Sequence, residues 1–185
     1  FVWLSRFCPM RYCIVRHLGF LLGGTHGRSS GDATALPETL ADVVRLLRRP
    51  TPWQRDMTLV YARLEDLPAP IETWPGSNED LEDCIFVCAA VMFVEPTRSE
   101  RARRAVIRAI GPRRFEFFSG CLAFIRTAHY WTVLHPEIES EDDMLSLLRE
   151  QEELPKLLLE DAEADRCEMG ERAFEELTSL RDLHE

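Results

Sequence analysis

An all-α fold is predicted for this 185-residue chain: a multi-helix bundle followed by an acidic, amphipathic C-terminal helix. Three observations predict it. Apolar residues recur at three- and four-residue spacing along most of the chain. Prolines, glycines and capping residues punctuate those stretches at helix-like intervals. No run alternates in the way a half-buried strand does. With 45% hydrophobic residues, the chain can bury a substantial core without disulfide staples.

Residues 9–22 read as a buried helix that Gly23-Gly24 ends. Residues 24–36, rich in Gly and Ser and without period, are a loop. A helix opens at Pro37-Glu38, puts Leu40, Val43, Val44 and Leu47 on one face, and stops at Pro50. The next helix is expected over residues 52–65, with Met57, Val60, Tyr61 and Leu64 inward. Three prolines and a glycine make residues 67–78 a connector, and Ser77 or Asn78 can cap the helix after it. Residues 81–94 are apolar almost all round, as in a central buried helix.

Thr97-Arg98-Ser99-Glu100 has the capping-box order and starts a helix that Gly111-Pro112 ends. Residues 113–134 form a long helix carrying Phe115, Phe118, Leu122, Phe124, Ile125 and Trp131, terminated by His135-Pro136. Ser140-Glu141-Asp142-Asp143 is an acidic start favoured by the helix dipole, leading into residues 144–148. Over residues 166–185, Ala173, Leu177, Leu180 and His184 recur at four, three and four residues, an amphipathic helix close to heptad spacing. The expected division is one helical domain over residues 1–150 and an acidic helical extension over 151–185, a linker or coiled coil to a further module.

The net charge of −10 is uneven. Residues 136–185 hold 18 Asp and Glu against five Arg and Lys, whereas residues 1–135 hold 14 against 17. The acidic segment repels phosphates, so nucleic acid is not an expected partner. Seven arginines from Arg98 to Arg114 form the one basic cluster, read as a solvated face or a partner for the acidic segment. No apolar run approaches the roughly 20 residues that cross a bilayer, and no membrane association is expected. No leader pattern is present, and six cysteines fall short of a disulfide framework, so a reducing cytoplasm is the expected location.

The chemistry-bearing stretch is Tyr12-Cys13-Ile14-Val15-Arg16-His17. Four residues are little more than one helical turn, so the Cys13 thiol and the His17 imidazole point to the same side. An imidazole beside a thiol can take its proton or stabilise the thiolate, the reactive form of cysteine. The competing reading is a core cysteine with a structural histidine. Cys84 and Cys88 share a face by the same spacing and, with Cys13 and His17 or with His129 or His135, supply zinc-type donors. Without a C-x2-C knuckle no metal is expected, and no cofactor. His129, Tyr130 and His135 gather at the end of the long helix, where with Tyr12, Cys84 and Cys88 they are candidates to line a pocket facing Cys13 and His17.

Tyr12-Cys13-Ile14-Val15-Arg16-His17, followed by an apolar helix ending in Gly, resembles the Y-C-x3-H segment of the alkylhydroperoxidase D-like, or carboxymuconolactone decarboxylase-like, superfamily. The resemblance covers about 15 residues. It implies an all-helical fold and a homo-oligomer. The redox-active members carry C-x2-C-x3-H, so Cys13 takes the peroxidatic position and His17 the proton-relay position. Met10 falls where the resolving cysteine of that motif would stand, Cys8 lies five residues before Cys13, and residues 1–7 hold no relay glutamate. The acidic segment and the helix after it are similar to linkers leading into bacterial sensor histidine kinases. The start at Phe1 and the helical pattern running to Glu185 fit a piece of such a protein. The implied function is a sensory or interaction domain with a residual Cys-His redox or ligand site. The alternative is a thiol peroxidase using Cys8 and Cys13, or a decarboxylase-like acid/base enzyme using His17.

Overall fold

Seven α-helices and no strand are found among the residues described by the computed structural model, which are 1–8, 10–22, 40–72, 79–150 and 154. They are α1 (Arg11–Leu22), α2 (Leu40–Leu47), α3 (Met57–Glu65), α4 (Glu79–Val94), α5 (Glu100–Ile110), α6 (Pro112–Leu134) and α7 (Asp142–Arg149). Three short 3-10 turns precede α1, α3 and α5, at Leu4–Phe7, Pro52–Gln54 and Pro96–Arg98. The all-α expectation holds for these residues. The loop over 24–36, the cap at Ser77 or Asn78 and the helix over 166–185 lie outside the described residues. No described helix is long and apolar enough to cross a membrane.

The chain divides into two compact units, one of Phe1–Arg48 with Thr127–Glu185 and one of Arg49–Arg126. In the second unit α4 supplies the centre, burying Leu81, Ile85, Val87 and Cys88 against Val60 and Leu64 of α3 and Val106 of α5. The arrangement follows from composition, because α4 from Cys84 onward is apolar on every side and can satisfy neighbours all round. Helix α3 begins later than the sequence suggests. Thr51 and Gln54 close a separate capped turn, Arg55 is extended, and the Asp56 carboxylate accepts from Thr58 N at 2.9 Å. A second N-cap five residues after the first resets the helix.

The expected capping box at Thr97 is replaced by a 3-10 turn, and the α5 N-cap, Ser99, turns its hydroxyl back to Pro96 O at 2.8 Å. Helix α5 ends at Gly111, whose φ of +82° only glycine adopts without strain. Its arginines brace the connector after α3. Arg101 donates to both Glu65 oxygens at 3.1 and 3.3 Å, and Arg108 to the carbonyls of Leu67 and Pro68. Arg114, at the start of α6, bonds Ile71 O and Glu72 O. Two of the seven arginines, Arg108 and Arg114, are thus spent on main-chain carbonyls of the connector, while Arg101 and Arg104 pair with the carboxylates of Glu65 and Glu100.

In the first unit, Ile14 and Leu18 of α1 join Val43, Val44 and Leu47 of α2 and Leu148 of α7 in a separate core. Arg6, 8% exposed, donates to Leu47 O at 2.6 Å and so satisfies a carbonyl at the end of α2. Helices α1 and α7 touch at Gly19, where a Cβ would meet the fully buried Met144. An Arg16–Glu141 ion pair ties the same two segments together.

Candidate functional site

Cys8 closes the first 3-10 turn, where its extended backbone (φ −79°, ψ 128°) breaks the turn and leads toward α1. Cys13 follows in the first turn of α1, where the positive end of the helix favours a thiolate. The two sulfurs meet at a hydroxyl from α6. Thr132 Oγ1 lies 3.4 Å from Cys13 Sγ and 3.7 Å from Cys8 Sγ. Thr132 also donates to His129 O, one turn back on α6, at 2.8 Å. The hydroxyl has one proton and two lone pairs, so it accepts from a thiol while bonded to His129 O and donates to a thiolate when turned. The ligand atoms of Cys8, Cys13 and His129 all lie within 4.8 Å of one another, and all three residues are buried.

The two thiols are electrostatically unequal. A hydrogen bond from Cys8 lowers Cys13 to about 7, with help from Thr132 and against the opposing effect of burial. The same bond, with burial, raises Cys8 far above the ordinary thiol range. The pair's first proton is therefore lost from Cys13 near neutral pH, with Cys8 as the donor to the thiolate.

His17 is engaged elsewhere. Its Nδ1 is 2.8 Å from Ser5 Oγ, and its ring stands edge-on to Phe1 at 5.8 Å. The Ser5 hydroxyl also reaches Phe1 O at 3.1 Å, and with its single proton both contacts are made when His17 Nδ1 carries the ring proton. Burial, reinforced by nearby positive charge that includes Arg16, holds the His17 imidazole below its ordinary value. The imidazole grouped with the two sulfurs is that of His129.

The other sequence candidates fall in different surroundings. Tyr12 is half-buried, and its hydroxyl accepts from Arg16 at 2.8 Å. Tyr130 is exposed, and His135 bonds Glu137 at 2.9 Å and lies against Trp131 at 4.7 Å. Cys84 and Cys88 belong to the Arg49–Arg126 unit and its core. Burial raises both thiols, Cys88 to about 12, which makes them packing groups and not nucleophiles.

Thr132 is the residue that sequence reasoning missed. A lone threonine late in a helix carries no signal until the fold sets it over two sulfurs. No family model, curated protein or solved structure matches this chain.

Proposed function

We propose that the chain is a thiol-redox module whose Cys8–Cys13 pair cycles between dithiol and disulfide in response to small peroxides. The reading rests on one observation, the two sulfurs sharing the Thr132 hydroxyl at 3.4 and 3.7 Å. The resemblance to the alkylhydroperoxidase D-like superfamily supports the same chemistry, with Cys8 acting in place of the cysteine that Met10 replaces. In that setting the module serves a bacterial signalling protein as its sensory domain.

The Cys13 thiolate attacks the distal peroxide oxygen, the O–O bond breaks, and the departing alkoxide or hydroxide takes a proton. Cys13 is left as a sulfenic acid. The Cys8 thiol then attacks that sulfur, forming the disulfide and releasing water. An external dithiol restores both thiols and is itself oxidised to a disulfide. Each cysteine is 4% exposed, so the site favours hydrogen peroxide over bulky hydroperoxides.

Hydrogen peroxide added to the full chain is expected to consume two thiols and to yield a Cys8–Cys13 linked peptide on mass spectrometry. Sulfinic acid at Cys13 with Cys8 still free would refute the pairing. The proximity of Cys8 also favours a second reading, a peroxidase. Multiple turnovers with a dithiol reductant, abolished in Cys13→Ser, identify an enzyme; a single stoichiometric oxidation identifies a sensor.

A further inference from the structure

We propose that Cys8, Cys13 and His129 together bind a thiophilic divalent cation, and that zinc is the ion this donor set fits. The sequence argues against a metal because no C-x2-C knuckle is present. The structure assembles the donors differently, from the end of a 3-10 turn, the first turn of α1 and the later part of α6. Their ligand atoms already lie within 4.8 Å of one another. Tetrahedral zinc, with bonds of about 2.0 Å to nitrogen and 2.3 Å to sulfur, needs edges of roughly 3.5 Å, so about 1 Å of closure suffices.

Charge favours the same ion. Two thiolates and a neutral imidazole around a divalent cation sum to zero, the net charge a buried site bears at least cost. A monovalent soft ion such as copper(I) would leave the cluster negative. Binding releases the Cys8 proton, and the Cys13 proton where that thiol is not already ionised. Thr132, within hydrogen-bond reach of both sulfurs, acts as an orienting outer partner. Two cysteines and one histidine leave a fourth position for water or an external ligand, as catalytic and exchangeable zinc sites do.

The inference rests on the donor geometry and not on the redox reading, although metal and disulfide must exclude each other because both use the same sulfurs. The probe is cobalt(II), titrated into the full chain reduced with a phosphine. The expected result is equimolar binding with sulfur-to-cobalt charge transfer and the intense visible bands of tetrahedral cobalt, both erased by zinc. Cys8→Ser and Cys13→Ser, close in size to the native residues, should each weaken binding about 100-fold or more, and His129→Gln about 10-fold or more.

Absence of the sulfur-to-cobalt absorption in the reduced wild-type chain would overturn the proposal. Its persistence in the Cys8→Ser/Cys13→Ser double variant would overturn it equally, since the metal would then sit elsewhere. His129→Gln separates the two readings, because it removes a metal ligand and keeps both sulfurs. Loss of cobalt affinity with the peroxide-driven disulfide intact is the expected pattern.

Discussion

Replacing Cys8 by alanine removes the hydrogen bond that contributes most to lowering Cys13 from 9.0 to about 7. Two pKa units correspond to about 3 kcal/mol of preferential stabilisation of the thiolate. With that donor gone, Thr132 alone opposes burial, and Cys13 should return to about 9 or above. At about pH 7 its thiolate fraction then falls from about one half to about 1%, roughly 50-fold. The rate of alkylation falls less, because a more basic thiolate is a better nucleophile. A Brønsted slope of about 0.45 returns about 8-fold over two units, leaving a net loss of about 6-fold.

The sign reverses at about pH 10, where both proteins are ionised and the variant should react about 8-fold faster. The assay is alkylation by a small haloacetamide as a function of pH, read on the Cys13 peptide by mass spectrometry. The wild-type rate should rise through a midpoint near 7 and the Cys8→Ala rate through one near 9. Superimposable profiles would refute the assignment of Cys8 as the donor. Stability is linked to pH with the same sign: the depressed Cys13 thiol stabilises the fold fully above 9.0, and that contribution is lost as pH falls through about 7.

Thr132→Val keeps the volume and removes the hydroxyl, so the Cys13 midpoint should rise, but by less than in Cys8→Ala because Cys8 is the larger influence; the same alkylation profile checks it. Gly19→Ala would set a Cβ onto Met144 Sδ and 2.9 Å from Met144 Cβ. Pushing α1 from α7 should cost about 1–3 kcal/mol even after the gain in helix propensity, measurable as a fall in urea midpoint. Leu64→Ala, at a site of 0% exposure in the core of the Arg49–Arg126 unit, should cost about 2–5 kcal/mol in the same measurement. Neither Gly19→Ala nor Leu64→Ala touches a group at the cysteine site.

The positions of the helices are legible in the chain because the interactions that set them are local. Helix α4 is apolar on every side from Cys84 onward, α5 carries small and branched residues on one face, and Gly111 cannot continue a helix at φ +82°. Local rules also misplace some boundaries. Asp56 and Ser99 choose between competing hydrogen bonds only a few residues away, and residue order alone does not rank those options.

The site is another matter. Periodicity puts Cys13 and His17 on one side of α1, but sharing a side does not make two groups partners. His17 bonds Ser5, while Cys13 meets Thr132 across 119 residues of chain and gathers with Cys8 and His129. The sequence by itself determined that the protein is helical, where most helices lie, and that Cys13 lies on one of them. Only the tertiary structure decided which thiol, hydroxyl and imidazole surround it. Such a meeting has no local signature: closing so long a loop costs entropy that the packing of whole helices, and not the few polar groups brought together, must outweigh.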